Sequence, residues 1–193
     1  MRITDNVKTD IMFLNKKYMS EATDHYNFWE EHIRYVVHEA LALAVAYNAD
    51  AEIVELAALL HDVALMAKVG TRAEHHINGA EIAEAILLKH DYPPEKTAKV
   101  KQCVRNHRSS QNGTGVEELC VADADVLAHF DNVPMLFNSV LCRNDSGGIT
   151  LPELRSKMKA AFDCDYNDLS ERTKQRFSDR YKTICQVVLG CES

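Results

Sequence analysis

The chain has 193 residues, a net charge of −7 and 26 % charged residues, with 46 % hydrophobic residues but only 7 Gly and 4 Pro. That length suits one domain with its own core, and the shortage of turn-formers favours long helices. The acidic balance argues against a nucleic-acid polymer as partner, whereas a small phosphorylated molecule can be neutralised locally by a bound cation.

The first ten residues, MRITDNVKTD, show no basic, apolar, cleavable pattern. The apolar stretch around ALALAVAY falls well short of the roughly 18 residues that signal a membrane span, so cytoplasm is the expected location and no membrane partner is expected. Six cysteines (103, 120, 142, 164, 185 and 191) are scattered without a C-x-x-C pair. They read as reduced thiols, mostly core filler, rather than disulfides or a thiolate zinc site.

Residues 27–46 carry apolar side chains at helical spacing, with Asn48 and Asp50 as breakers. Asp50 is placed to cap AEIVELAALLHD, whose Ile53, Leu56, Ala57 and Leu60 form an apolar stripe. Gly70 interrupts the chain, and Thr71 is placed to cap a helix running to about His90, where Asp91, Pro93 and Pro94 stop it. A further helix follows Pro94, with Val100, Cys103, Val104 and His107 on one face. RSSQNGTG is a loop by composition, and Thr114 or Gly115 then opens a helix through VEELCVADADVLAHF. NDSGG is a second loop, and Leu151 to about Leu189 reads as two helices broken near Asp165–Asp168. No stretch alternates as a strand would, so the expected class is all-α, a single domain over residues 1–193.

Histidine and aspartate fall at telling places. His61 and Asp62 stand side by side at the end of an apolar helix, where an imidazole and a carboxylate can reach one cation. A neutral nitrogen and an anionic oxygen together suit Mn²⁺, Fe²⁺, Co²⁺, Ni²⁺ or Zn²⁺ better than Ca²⁺ or Mg²⁺. His32 lies one helix earlier, His75 opens the next and His107 ends the one after, with Asp123 and Asp125 beyond. On the His75 helix, His75, Gly79, Ile82 and Ile86 share a face, and Gly79 permits a close approach. Asp123 and Asp125 are about 200° apart on a regular helix, so only one of them can face a given site, and periodicity does not choose. His38 sits about 120° around the helix from His32 and reads as a core or surface histidine. His76 also lies toward an apolar side, whereas His25, His90 and His129 read as ordinary, though His129 lies one turn after Asp125.

In that order the residues resemble the HD superfamily of metal-dependent phosphohydrolases. The matching elements are His32 with Val36 and Ala40 behind it, AALLHDVA with His61 and Asp62, and ADVL with Asp125; HHINGAEIAEAIL with His75 and VKQCVRNHR with His107 are similar to the additional histidines of many members. The resemblance spans about residues 28–130 and favours Asp125 over Asp123. It implies an HD-type helical bundle with a C-terminal helical extension over about residues 151–190. It also implies hydrolysis of a phosphate ester, with a nucleotide or a sugar phosphate as candidate substrate. One divalent ion would sit on His32, His61, Asp62 and Asp125; a second would add His75 and His107, with Asp62 bridging. Asp62 is in addition a candidate proton acceptor for water, beside His61. Lys68, Arg72 and Arg108 are placed to hold phosphate charge, with solvated surface charge as the plainer reading.

Two other functions fit the same residues. Some HD relatives use this ligand set for a di-iron oxygenase, and others keep the fold as a regulatory module that no longer turns over. No synthetase or sensor segment and no G-Y-P motif accompanies the site, which disfavours a bifunctional stringent-response enzyme and a cyclic-dinucleotide phosphodiesterase. The helices from Leu151 onward lie outside the resemblance and are candidates for a lid over the site or a homodimer contact.

Overall fold

The computed structural model describes residues 2–142 and 148–190, and among them every element is helical. Most of the NDSGG loop and Cys191 lie outside the described residues. In chain order the elements are α1 (Ile3–Glu21), a π turn (Trp29–Ile33), α2 (Arg34–Tyr47), α3 (Ala51–Leu60), α4 (Val63–Ala67), a 3₁₀ turn (Arg72–Glu74), α5 (His75–Lys89) and α6 (Pro94–Asn106). A second 3₁₀ turn (Ser110–Asn112), α7 (Val116–Asp131), α8 (Val133–Cys142), α9 (Leu151–Asp168) and α10 (Glu171–Leu189) complete the chain.

The centre of the bundle is α3. Asp50 caps it, its carboxylate accepting from the backbone N–H groups of Glu52 and Ile53 at 3.1 and 3.3 Å. A single buried stripe is expected there, but Ile53, Val54 and every residue from Leu56 to Leu60 are buried. Neighbours on all sides explain it: α3 packs against α1, α2, α5, α6 and α7. The pairs α2–α7 and α5–α6 form the other large interfaces.

The expected single helix over 27–46 forms, but its first turn is a π turn, in which the N–H of Arg34 reaches the carbonyl of Trp29. An extra residue per turn rotates His32 and Ile33 inward together, and both are buried. Asn48 ends α2 in the left-handed conformation, as a breaker should. Thr71 does not cap a helix. Its hydroxyl donates to the Glu74 carboxylate at 2.9 Å, a 3₁₀ turn intervenes, and α5 opens at His75. Gly115 rather than Thr114 is the N-cap of α7, and the break between the last two helices falls at Leu169–Ser170. Helices α1 and α8 have no counterpart in the sequence-based expectations. Of the described cysteines, Cys103, Cys120 and Cys185 are buried and Cys142 and Cys164 exposed, all as thiols. No helix among the described residues is long and apolar enough to cross a membrane.

The C-terminal helices are tied to the core by Asp123. Its fully buried carboxylate accepts from the backbone N–H of Ser170 (2.8 Å), the Ser170 hydroxyl (2.5 Å) and the Thr173 hydroxyl (2.6 Å), at the N-terminus of α10. Tyr47 on α2 joins this cluster through Thr173 at 2.7 Å. A carboxylate at a helix N-terminus is favoured by the local dipole, and here it also satisfies three donors. Asp123→Ala strands those donors in the core and is expected to lower unfolding free energy by about 3 kcal/mol. Urea unfolding followed by circular dichroism measures this; an unchanged midpoint would show that α10 is held by its apolar contacts alone.

Candidate metal centre

Six side chains converge from five places in the fold. His32 comes from the π turn, His61 and Asp62 from the junction of α3 and α4, and His75 from the first position of α5. His107 follows the last turn of α6, and Asp125 projects from the middle of α7. His61 is fully buried, and His32, Asp62, His75 and His107 are also buried; Asp125 is partly exposed. Gly79 allows this junction to form. A Cβ there would stand 3.3 Å from the carbonyl oxygen of His61 and 3.5 Å from Val104, so a side chain would press α5 a few tenths of an ångström away from the His-Asp turn.

The imidazoles are oriented by the helices that carry them. Nδ1 of His61 donates to the carbonyl of Ala58 at 2.8 Å, Nδ1 of His75 to Arg72 at 2.7 Å, and Nδ1 of His107 to Val104 at 2.6 Å. A carbonyl can only accept, so each of these rings keeps its proton on Nδ1 and presents the Nε2 lone pair inward when neutral. Burial, with His61 adding to it, pushes His107 down to about 4, which leaves it neutral at pH 7.

The Nε2 atoms of these rings and of His32 meet in two groups. Nε2 of His32 and Nε2 of His61 are 3.1 Å apart, and Nε2 of His75 and Nε2 of His107 are 3.0 Å apart. Asp62 lies between the groups. Its Oδ2 is 3.6 Å from His61 and 3.8 Å from His32, while its Oδ1 is 3.3 Å from His75 and 3.9 Å from His107. Asp125 Oδ1 closes the first group, 2.9 Å from His32 and 3.8 Å from His61. Burial pushes both carboxyls up, but the surrounding imidazoles outweigh it: His61 and His32 hold Asp62 below the usual carboxylate range, and the His32 hydrogen bond holds Asp125 further below it. In the second group both nitrogens are acceptors, and buried acceptors facing each other at 3.0 Å are costly unless a proton or a cation lies between them. Carboxylate oxygens beside each pair make a divalent cation the better fit. Two triads, His32–His61–Asp62 and Asp62–His75–His107, each have ligand atoms close enough for one ion, and they share Asp62.

The centre opens onto a cavity of about 450 Å³ lined by His32, Asp62, Arg72 and His129, among others. Of the three cations named from the sequence, Arg72 lines it. Lys68 and Arg108 do not: Lys68 ends α4 in a left-handed turn that sets its ammonium over the Tyr18 ring at 5.1 Å, and Arg108 donates to the Ala73 carbonyl at 3.1 Å. Asp123 is turned away from the centre and bound to α10, as described above. His129, which the sequence gives little reason to single out, stacks on His32 with ring centroids 5.8 Å apart. It donates through Nδ1 to Asp165 of α9 at 3.0 Å. Burial lowers its pKa, but the Asp165 hydrogen bond and charge outweigh this and raise it. His32, Asp125 and His129 also lie close enough to form a third ligand group. The only sequence signal for His129 is its place one turn beyond Asp125. By contrast His38 and His25 are exposed, and His90 pairs with Asp10 at 2.8 Å on the far side of the chain.

Comparison with known proteins follows the same lines. A crystal structure of a predicted HD superfamily hydrolase from an uncultured Thermotogales bacterium is similar over 90 % of this chain and 92 % of that one, with a TM-score of 0.55 and 20 % identity. At that identity the likeness shows a shared helical-bundle fold. No curated protein matches the chain significantly. A model of the HD domain matches residues 29–129, from the π turn that carries His32 to the end of the helix that carries Asp125. More than half of the chain lies in that match, and it encloses all six converging side chains, so the chain belongs to the HD domain family.

Proposed function

We propose that the protein is a metal-dependent phosphohydrolase acting on a small phosphate ester, with the His-Asp centre as its active site. The observation that carries this reading is the disposition of Asp62: one carboxylate oxygen toward each imidazole pair, at the floor of an open cavity. His32, His61, Asp62 and Asp125 would hold one divalent ion, and Asp62, His75 and His107 a second. Such ions lower the pKa of water and stabilise negative charge on phosphoryl oxygens.

The chain's own groups account for the rest. Arg72 lines the cavity and can offer its guanidinium to a non-bridging phosphate oxygen. Asp62 and Asp125 are carboxylates at neutral pH, and Asp62 can take the proton of the attacking water. The water oxygen bonds to phosphorus, the ester P–O bond breaks, and the alcohol leaves with a proton. Tyr26 lines the same cavity, and its burial together with the charge of Asp62 raises its pKa, so it stays a hydroxyl donor across the working range.

The test is a phosphate-release screen on purified protein, stripped with chelator and reloaded with Mn²⁺, Fe²⁺, Co²⁺, Ni²⁺ or Zn²⁺. Metal-dependent release of phosphate that vanishes with the chelator is the expected result. Oxygen consumption by the iron-loaded protein with no phosphate release under any metal would replace this reading with the oxygenase one.

A further inference from the structure

Most of the cavity wall outside the metal centre is built by segments that the family match does not include. Tyr18 comes from α1, Asp24, Tyr26 and Phe28 from the segment before the π turn, and Asn138 and Ser139 from α8. This wall lies outside the matched domain, and it carries few cationic groups. Among the described residues lining the cavity, Arg72 is the only Lys or Arg. Asp24 lines the cavity too, as an anionic feature outside the metal centre.

Asp24 is exposed to solvent, and two hydrogen bonds orient it at the cavity. The Tyr18 hydroxyl donates to its Oδ2 at 3.1 Å, and the backbone N–H of Tyr26 donates to its Oδ1 at 3.1 Å. Each oxygen keeps a lone pair for a hydroxyl or amine of a ligand. A second phosphate, beyond the phosphoryl group that the metal centre would hold, would meet this carboxylate with Arg72 as the one Lys or Arg among the described lining residues to offset the added charge. At a few ångströms in a partly screened cleft, that repulsion amounts to roughly tenfold or more in binding. The volume, about 450 Å³, is near the lower end of ligand sites and fits one small ester.

We infer that the substrate is a phosphomonoester whose alcohol part carries hydroxyl or amino groups, and that Asp24 excludes di- and triphosphates. This rests on the phosphohydrolase reading and narrows it. Nucleoside monophosphates and sugar phosphates share the required chemistry; Tyr18 and Tyr26, packed edge-to-face on Phe28 with ring centroids 5.0 and 4.8 Å away, give either an apolar wall beside the carboxylate.

The experiment compares kcat/KM for ribose 5-phosphate, AMP, ADP and ATP, with Mn²⁺ in excess of nucleotide, in wild type and in Asp24→Asn. Wild type is expected to prefer a monophosphate, AMP or ribose 5-phosphate, over ADP and ATP by about tenfold or more. Asp24→Asn is expected to narrow the AMP-to-ADP ratio by about fivefold, because the amide keeps the shape and removes the charge. Metal chelation by ADP is common to both proteins and cancels in that comparison. The preferred monophosphate tells the nucleoside source from the sugar source. Faster turnover of ADP or ATP by wild type, or an AMP-to-ADP ratio that Asp24→Asn leaves unchanged, overturns the inference and leaves the phosphohydrolase standing. Phosphate release from none of the four under any metal overturns both. The wild-type comparison decides the substrate class even if the variant does not fold.

Discussion

Asp62→Ala protein should fold, bind less metal and lose metal-dependent phosphate release by about 10³-fold or more. The size of the effect follows from the position of one carboxylate. Its two oxygens lie within 3.3 to 3.9 Å of four separate imidazole nitrogens, so removing it takes a ligand from both halves of the centre at once. Asp125 does not do so, since it pairs with His32 and His61 but with neither His75 nor His107. Little apolar area is lost with it, and the core around α3 is untouched, so circular dichroism and a thermal melt should show a folded protein. Asp62→Asn is nearly as damaging in the same argument: an amide offers an oxygen to one pair and an N–H₂ donor to the other, and a donor cannot ligate. Metal content by elemental analysis, read beside phosphate release at saturating metal, separates weak binding from a lost proton acceptor. Full activity of Asp62→Ala at saturating metal would remove the carboxylate from the mechanism altogether.

The same centre shows which parts of a site a sequence can and cannot carry. His61 and Asp62 were readable because adjacency at a helix end is a local property. His32, His75 and His107 were readable because each stands at a helix start or end beside an apolar face, in the order that resembles the HD superfamily. The choice between Asp123 and Asp125 was not local. Both are surrounded by apolar residues, and what separates them is Ser170 and Thr173, which draw Asp123 toward α10. Helix α1 escaped notice for a different reason: two of the four residues it buries, Thr4 and Asn15, are polar, so no apolar stripe marks it. Helix α8 buries only Leu136 and carries Pro134 near its start. Those two helices and the segment between α1 and the π turn build the cavity wall, which is why the residues proposed to choose the substrate were the least visible in the sequence.

His75 and His107 decide whether the centre holds one ion or two. Four ligands, His32, His61, Asp62 and Asp125, suffice for a single ion. The other two histidines are nonetheless buried, oriented by their own helices, and aimed at each other with Nε2 atoms 3.0 Å apart. A neutral pair in that arrangement has two acceptors and no donor, and the depressed pKa of His107 disfavours resolving it with a proton. A second cation, shared through Asp62 Oδ1, removes the conflict. Two metal ions per chain are therefore expected at saturation. His75→Ala and His107→Ala should each bring the content toward one ion and lower turnover by about tenfold or more, with a smaller effect on stability. His76 is the control: it adjoins His75 but takes no part in either pair, and His76→Ala should change neither metal content nor turnover. Elemental analysis against protein concentration, with phosphate release on the same samples, gives the answer. A single ion in fully active wild-type protein, unchanged when His75 is removed, would leave a mononuclear centre and return His75 and His107 to packing roles.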